Sequence, residues 1–416
     1  MQMSEQMNWA GNLTYSAAEI RRPRSVDELR AALHGAGPVS VLGSRHCFND
    51  IADTTGTLIA LAELPSEIEF GEDSVRISGG LRYGDIAPVL RSQGRALANL
   101  ASLPHISVAG AIATGTHGSG DRLGSLATTV RSVTLMDGRG ETREFRRGDA
   151  EFPGIPVHLG ALGIVTELEL DTEPDYQLRQ FVFEAPSWDA IFDDLDAVTG
   201  LGDSVSIFTT YEDPDRADQL WVKTRADAVD QAVISQIGAT AAAGPRHPIA
   251  GVDPASCNEQ LGVPGSWSDR LPHFRLDFTP SAGEELQSEF LVARENGPDA
   301  IRAILELGPK IAPLLYVSEI RTVMADDLWL SPSYGRDSVA LHFTWNRDEP
   351  AVRALLPEIE AALAPFDARP HWGKIFTRPG REVAAQYPRF GDFGELRARL
   401  DPEGRFLNDY LRRLGL

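Results

Sequence analysis

Between Ala101 and Ser125 the chain reads ASLPHISVAGAIATGTHGSGDRLGS, mostly small residues with five glycines. Backbone N–H groups approach the oxygens of a pyrophosphate closely only where side chains do not block them. A run like this is suited to that task, in the stretches Gly110 to Thr114 and Gly115 to Gly120. An earlier stretch, Gly43-Ser44-Arg45-His46-Cys47-Phe48-Asn49-Asp50, follows a short apolar strand read at Val39–Leu42 and has the same character. Small-residue runs also serve tight turns and close packing. Two of them, each near a histidine, favour a ligand. Neither matches the G-x-G-x-x-G dinucleotide fingerprint. The chain also lacks a Walker loop, an H-E-x-x-H zinc helix and a G-x-S-x-G nucleophile elbow.

Around these runs the pattern alternates helix and strand. Ser25 and Glu28 make a capping box for a helix over 25–37, with Leu29, Ala32 and Leu33 on its apolar face. Strands are read at 58–61, 75–78, 132–137 and 164–170, and a helix over 83–93 that Gly94 stops. The character changes near 172–176, and 173–374 holds six of the seven tryptophans. Alternation at 220–223, 275–278 and 339–344 predicts an antiparallel sheet, with helices over 298–307 and 350–363 packed on it. Ala239 to Ala243 reads as a loop or short helix. A helix near 393–400 precedes turn chemistry over 401–408.

At 416 residues the chain exceeds what one core usually organises, so two domains are expected. The expected fold class is α+β: a first domain over 1–172, a cap over 173–374, and a segment 375–416 that returns to the first domain. The net charge of −21 argues against a nucleic-acid partner and against an anionic membrane surface. No run of eighteen apolar residues and no secretory signal are read, and the two cysteines, Cys47 and Cys257, fit a reducing compartment. A cytoplasmic, soluble monomer is expected. His105 and His117 lack the further ligands a metal needs, so no metal is expected.

In Glu319-Ile320-Arg321, strand alternation puts the acid and the base on one face. From spacing alone they are equally an ion pair on a solvated sheet face. Thr344, in Leu341-His342-Phe343-Thr344-Trp345, and Lys374, after His371-Trp372-Gly373, are further polar candidates.

Taken together these motifs resemble the vanillyl-alcohol oxidase type of FAD enzyme. Gly43 to Asn49 looks like its pyrophosphate loop, with Arg45-His46-Cys47 where the family usually reads Gly-His-Ser. Ala101 to Gly110, Gly115-Thr116-His117-Gly118-Ser119-Gly120 and Gly160-Ala161-Leu162-Gly163-Ile164-Val165 look like its other FAD loops. His371-Trp372-Gly373-Lys374 and Asp401-Pro402-Glu403-Gly404-Arg405-Phe406-Leu407-Asn408 resemble the aldonolactone and alditol oxidase branch. The likeness runs from Asn8-Trp9-Ala10-Gly11-Asn12 to that tail, essentially the whole chain.

The resemblance implies FAD attached covalently to His46 and contacted by Leu42, Gly43, Ser44, Arg45, Cys47, Ser102, Ser107, Gly110, Ala111, Ala113, Thr114, Gly115, His117, Gly118, Gly163, Val165 and His371. It implies Glu319, Arg321 and Lys374 as catalytic residues, with Ser102 and Thr344 added as substrate contacts. The expected reaction oxidises the terminal primary alcohol of a polyol such as xylitol or sorbitol by hydride transfer to flavin N5, with O₂ reduced to H₂O₂. The alternative in the same branch is an aldonolactone oxidase or dehydrogenase acting on a sugar lactone, with the electron acceptor set by a small residue such as Ala101. From another class come a flavin binder without turnover and a nicotinamide-dependent reductase; no nicotinamide fingerprint supports the latter. Cations beside the reacting hydroxyl favour the alkoxide, which suits Arg321 and Lys374. Cys47 is expected to pack in its loop, and Trp329 and Tyr334 are candidates for a substrate channel.

Overall fold

The computed structural model describes residues 6–35, 37–278 and 285–416. Among them the strands form three main sheets. Glu19–Arg21, Thr57–Ala60 and Val39–Leu42 pair in parallel. Ile68–Phe70, Ser74–Ser78, Ile164–Asp171, Val130–Met136 and Thr142–Arg146 follow one another in an antiparallel sheet. The third sheet has nine antiparallel strands. It runs from Thr240–Ala241 through Gln177–Glu184, Gln219–Thr224, Ser204–Thr209, Leu315–Val323, Ser338–Trp345 and Leu286–Ala293 to Arg369–Pro370, with Gly265–Ser266 beside Gln177–Glu184. The mixture of helices with antiparallel sheets is that of an α+β protein. No helix among the described residues is long and apolar enough to cross a membrane.

Local signals act where they were read. Ser25 Oγ accepts from Glu28 N at 3.2 Å and starts the helix Val26–Leu33. The Glu28 carboxylate reaches back to Arg24 N rather than to the cap itself. Gly94, at φ +66°, ends the helix Tyr83–Ser92 in the left-handed region that costs other residues most. Two readings fail. Residues 275–278 are not a strand: Leu276 and Phe278 are exposed, and no strand among the described residues pairs with them. The alanine stretch supplies Thr240–Ala241, an edge strand that pairs with Phe183 and Glu184.

The large sheet is buried on both faces, and the faces differ in chemistry. Successive side chains on a strand point to opposite sides. Ile207, Leu220, Phe290, Ile320, Leu341 and Phe343 point one way, into a core closed by the helices Gly297–Glu306 and Glu349–Leu363. There Phe343 and Trp345 stack at 5.1 Å. Their sequence neighbours point the other way, Phe208, Trp221 and Leu291 into small apolar clusters, while Glu289, His342 and Glu319 lie opposite one another across three adjacent strands. The register that buries the apolar set therefore forces the polar set onto the opposite face, since a slip of one residue would exchange them.

The last described segment closes the fold. Asn408 caps the helix Asp409–Leu414 by accepting from Leu411 N at 3.0 Å, while its amide donates to Ile51 O at 2.9 Å and Asp53 O at 2.7 Å. Replacing Asn408 with Ala leaves these buried groups unpaired, and urea denaturation should show a loss of about 1–3 kcal/mol. An unchanged midpoint would mean that the tail is not held by this residue.

Candidate active site

A cavity of about 770 Å³ lies between the glycine-rich loops and the polar face of the large sheet. Of the expected cofactor and substrate residues, all but Gly115 and Gly118 line it. Gly118 lies just outside the wall, where a Cβ would come 2.2 Å from Asn99 Oδ1 and 2.5 Å from Leu100 O. Gly115 packs against Pro332. Both serve close packing behind the wall. Trp329 is buried in the core beside Gly154, and neither it nor Tyr334 reaches the cavity.

One wall is the loop Gly43–Asp50, tied to the next glycine-rich run by two serines. Ser107 N donates to Ser44 Oγ at 2.8 Å, and Ser44 N to Ser107 Oγ at 3.3 Å. A Cβ on Gly43 would stand 2.4 Å from Ser107 Oγ, so this approach requires glycine. Arg45 takes a left-handed φ of +65° and sends its guanidinium to Met7 O at 3.3 Å. His46 stacks on Trp9, ring centroids 5.1 Å apart at 22°. Asn8 donates to Cys47 O at 2.9 Å and Asn12 to Phe48 O at 3.1 Å, so residues 8–12 hold the loop from behind. Both ring nitrogens of His46 are buried, and among the described residues neither meets a partner at full hydrogen-bonding geometry, the Ser44 backbone standing nearest in effect. Burial pushes this imidazole down to about 4, which keeps it neutral and its lone pair free at neutral pH. Cys47 packs against Gly373, and burial pushes its thiol up to about 12.

The opposite wall is a network of buried charges. Glu289, only 1% exposed, binds Arg321 Nη2 at 2.5 Å through Oε1 and Lys374 Nζ at 2.6 Å through Oε2. His117 donates from Nδ1 to Gly118 O at 2.8 Å and turns Nε2 to Glu289 Oε1 at 3.3 Å. Lys374 Nζ also donates to His342 Nδ1 at 2.7 Å, and His342 Nε2–H donates to Thr344 Oγ1 at 3.0 Å. Burial pushes His342 down to about 4, with the Lys374 charge adding to it, so the ring is neutral. Glu319 accepts from Ser206 Oγ at 2.8 Å and from His273 Nε2 at 2.7 Å. Burial alone would raise both carboxyls; Lys374 and Arg321 at Glu289, and Arg321 at Glu319, outweigh it and hold each well below the carboxylate range. Burial lowers Lys374 against the pull of Glu289. Arg321 is held above its usual value by Glu319 and Glu289, in spite of burial. Burial, and then Lys374, depress His371, whose Nδ1 accepts from Gly373 N at 3.1 Å.

Glu289, His342 and His273 were not singled out in the sequence. His342 stands two residues before Thr344 on one strand, a spacing that already placed them on one face. Glu289 is the one acid within the strand Leu286–Ala293, and only its cross-strand neighbours show what it does. The walls meet at Asn49, whose amide donates to Trp372 O and Lys374 O, both at 2.8 Å, and at Phe48 N, which donates to Gly373 O at 2.8 Å.

Residues 17–146 match the family described as FAD binding domain, and residues 284–414 match D-arabinono-1,4-lactone oxidase. The alditol oxidase of Streptomyces sp. (strain IKD472 / FERM P-14339) is 44% identical over 412 residues, covering 98% of each chain. The chain belongs to the alditol oxidase family. More distant relatives of the family include the L-gulono-1,4-lactone dehydrogenase of Mycobacterium tuberculosis H37Rv, 28% identical over 98% of each chain. The L-gulonolactone oxidase of Mus musculus is also 28% identical, over 98% of this chain and 97% of its own. Among solved structures, a solvent-stable cholesterol oxidase shares the fold with a TM-score of 0.79 at 16% identity, over 99% of this chain and 97% of its own. A chitooligosaccharide oxidase has a TM-score of 0.77 at 14% identity, over 97% and 93%. The alditol oxidase family thus keeps a fold whose members differ widely in sequence.

Glu289→Gln removes the carboxylate shared by two buried cations, which should cost about 3–5 kcal/mol at neutral pH. Because the folded-state value lies below the ordinary 4.5, the wild-type advantage is complete above 4.5 and disappears as pH falls through the lowered value. Urea titrations of both proteins across this range should show the gap closing only in acid; a gap that closes near neutrality would contradict the pairing.

Proposed function

We propose that this protein is an FAD-dependent oxidase that converts the terminal primary alcohol of a polyol, such as xylitol or sorbitol, into the aldose while O₂ is reduced to H₂O₂. The observation that carries this reading is the charge-balanced polar wall of Glu289, His342, Glu319, Arg321, Lys374 and Thr344, which faces the glycine-rich loops across one cavity. A polyol exchanges many water hydrogen bonds for protein ones on entering a site, and only a wall this dense in donors and acceptors compensates it. The 44% identity to an alditol oxidase supports the same substrate class.

The loops suit FAD. Gly43 and Gly110 both close on Ser107, where a Cβ would stand 2.4 and 2.6 Å from its Oγ, and both line the cavity, so the loops are held with small residues facing the place a phosphate group would take. Ser44, Ser107, Thr114 and Gly163 would hold the cofactor. His46, neutral and on the cavity wall, is the nucleophile for a covalent bond to it. Trp9 holds that ring in one orientation. In this reading residues 1–172 with 375–416 bind the cofactor and 173–374 form the cap; the protein acts as a monomer in the cytoplasm.

FAD, when bound, supplies the acceptor for the electron pair lost from the carbinol carbon. Arg321 and Lys374 stabilise negative charge on the substrate oxygen, both anchored on Glu289 and so fixed before substrate arrives. Burial makes the Lys374 ammonium readier to release a proton, and His342 Nδ1 shares its hydrogen. As the hydroxyl reacts, Lys374 passes the hydrogen it shares to His342 Nδ1 and takes the hydroxyl proton of the substrate in its place, so the pair gains the one proton that the substrate loses. Glu319 and Thr344 orient the remaining hydroxyls, and Ser102 contacts the chain from the loop side. A sugar lactone is the second reading, favoured by the match of residues 284–414 to D-arabinono-1,4-lactone oxidase.

Anaerobic xylitol should bleach the flavin absorbance of the purified protein, and air should restore it with stoichiometric peroxide. In Lys374→Met the flavin should stay bound but bleach at least about 100-fold more slowly, the scale of one lost electrostatic helper. Xylitol and sorbitol that leave the flavin yellow would move the reading to lactones. Acid precipitation tests the covalent bond: wild-type colour should stay with the pellet, and in His46→Ala it should pass to the supernatant. Wild-type colour in the supernatant would remove the bond.

A further inference from the structure

Behind Glu319 lies a pair of side chains that this mechanism does not use. Lys223 sits on the strand Gln219–Thr224 and is 1% exposed. Its Nζ donates to Leu271 O at 2.5 Å, Pro272 O at 3.0 Å and His273 Nδ1 at 3.0 Å. An ammonium has three N–H groups, and all three are committed here. The third bond fixes the tautomer of His273: Nδ1 accepts, so the ring proton is on Nε2, where it is given to Glu319 Oε1 at 2.7 Å. Ser206 Oγ donates to the same oxygen at 2.8 Å. Glu319 Oε2 has no hydrogen bond among the described residues, and the Arg321 Nε nearest it stands at 3.7 Å. The backbone of this segment also reaches the other wall, since His273 N and Phe274 N donate to Ser102 O at 3.1 and 3.4 Å.

We propose that Lys223 and His273 are positioning residues that clamp Glu319 so that Oε2 alone is offered to a substrate hydroxyl, and that the same segment sets the gap between Glu319 and Ser102. The proposal rests on the polyol reading, in which Glu319 binds a hydroxyl of the substrate. Lys223 does not line the cavity, so it acts only through His273. Burial brings Lys223 down to about 7, against the pull of the Glu319 carboxylate. With the clamp gone, Glu319 keeps its charge but loses its orientation, so substrate affinity suffers more than turnover.

The pair His273→Gln and His273→Asn separates this role from a packing role. A glutamine amide reaches the position of Nε2 and can still donate to Glu319; an asparagine amide reaches only the position of Nδ1. Steady-state oxidation of xylitol should show KM raised about tenfold or more in His273→Asn, by a larger factor than kcat falls, with most of that loss recovered in His273→Gln. Lys223→Met should follow His273→Asn. Flavin absorbance reports folded protein in every variant, and the His273 pair leaves Lys223 intact should Lys223→Met fail to fold. Equal KM in the Gln and Asn variants, or a KM in His273→Asn equal to wild type, overturns the clamp while the polyol reading stands. A wild-type flavin that xylitol does not bleach removes the polyol reading and the clamp with it.

Discussion

Glu289 is the residue on which the site depends. A carboxylate buried away from water is tolerated only when its charge is met at close range, and Glu289 meets two cations, one at each oxygen. This fixes Arg321 and Lys374 relative to each other, although they come from distant parts of the chain. It also makes the wall nearly neutral, since Glu289 and Glu319 balance Arg321 and Lys374. A neutral but strongly polar wall suits an uncharged polyhydroxy compound better than an anion or a cation. The cost of desolvating these groups is met before any ligand arrives, so the cavity is organised rather than assembled on binding.

Rigidity comes from the other side of the same sheet. The apolar core under the helices Gly297–Glu306 and Glu349–Leu363 locks the register of Leu286–Ala293, Leu315–Val323 and Ser338–Trp345, and register decides which side chains face the cavity. The glycine-rich loops are joined to this sheet directly. Gly120 N donates to Thr322 O at 3.0 Å, and Asp121 takes Arg294 at 2.7 Å and Thr322 at 2.7 Å. His117 and Arg321 therefore lie close to a shared backbone junction, and the two walls cannot drift independently.

Much of this was legible in the sequence for local reasons. Ser25, Gly94 and the apolar spacing of Glu349–Leu363 act over a few residues, and the elements they specify are present. The glycine-rich runs and the Glu319–Arg321 alternation are also local signals, and they bring Gly43 to Cys47, Gly110, Thr114, His117, Glu319 and Arg321 to the cavity, with Gly115 and Gly118 packed behind it. What escaped was non-local. Glu289 acquires its meaning only from partners on other strands and on the segment after His371. Lys223 reads as an interruption in the strand Gln219–Thr224 until the carbonyls of Leu271 and Pro272 are seen above it. Residues 275–278 have the alternation of a strand, but a strand needs a neighbour to receive its backbone hydrogen bonds. The short Thr240–Ala241 strand exists because Phe183 and Glu184 offer such an edge, against the preference of an alanine run.

The cavity is closed by both ends of the described chain: Trp9 stacks on His46, while Phe406, Asn408 and Leu411 complete the floor. Ribosomal synthesis delivers Trp9 long before Phe406, Asn408 and Leu411. A nascent chain carries the glycine-rich loops early, but the pocket they belong to does not exist until residue 411 has left the exit tunnel. Cofactor capture therefore waits for residues 406–411, and a chain cut before Phe406 has an open floor in place of a partly active site.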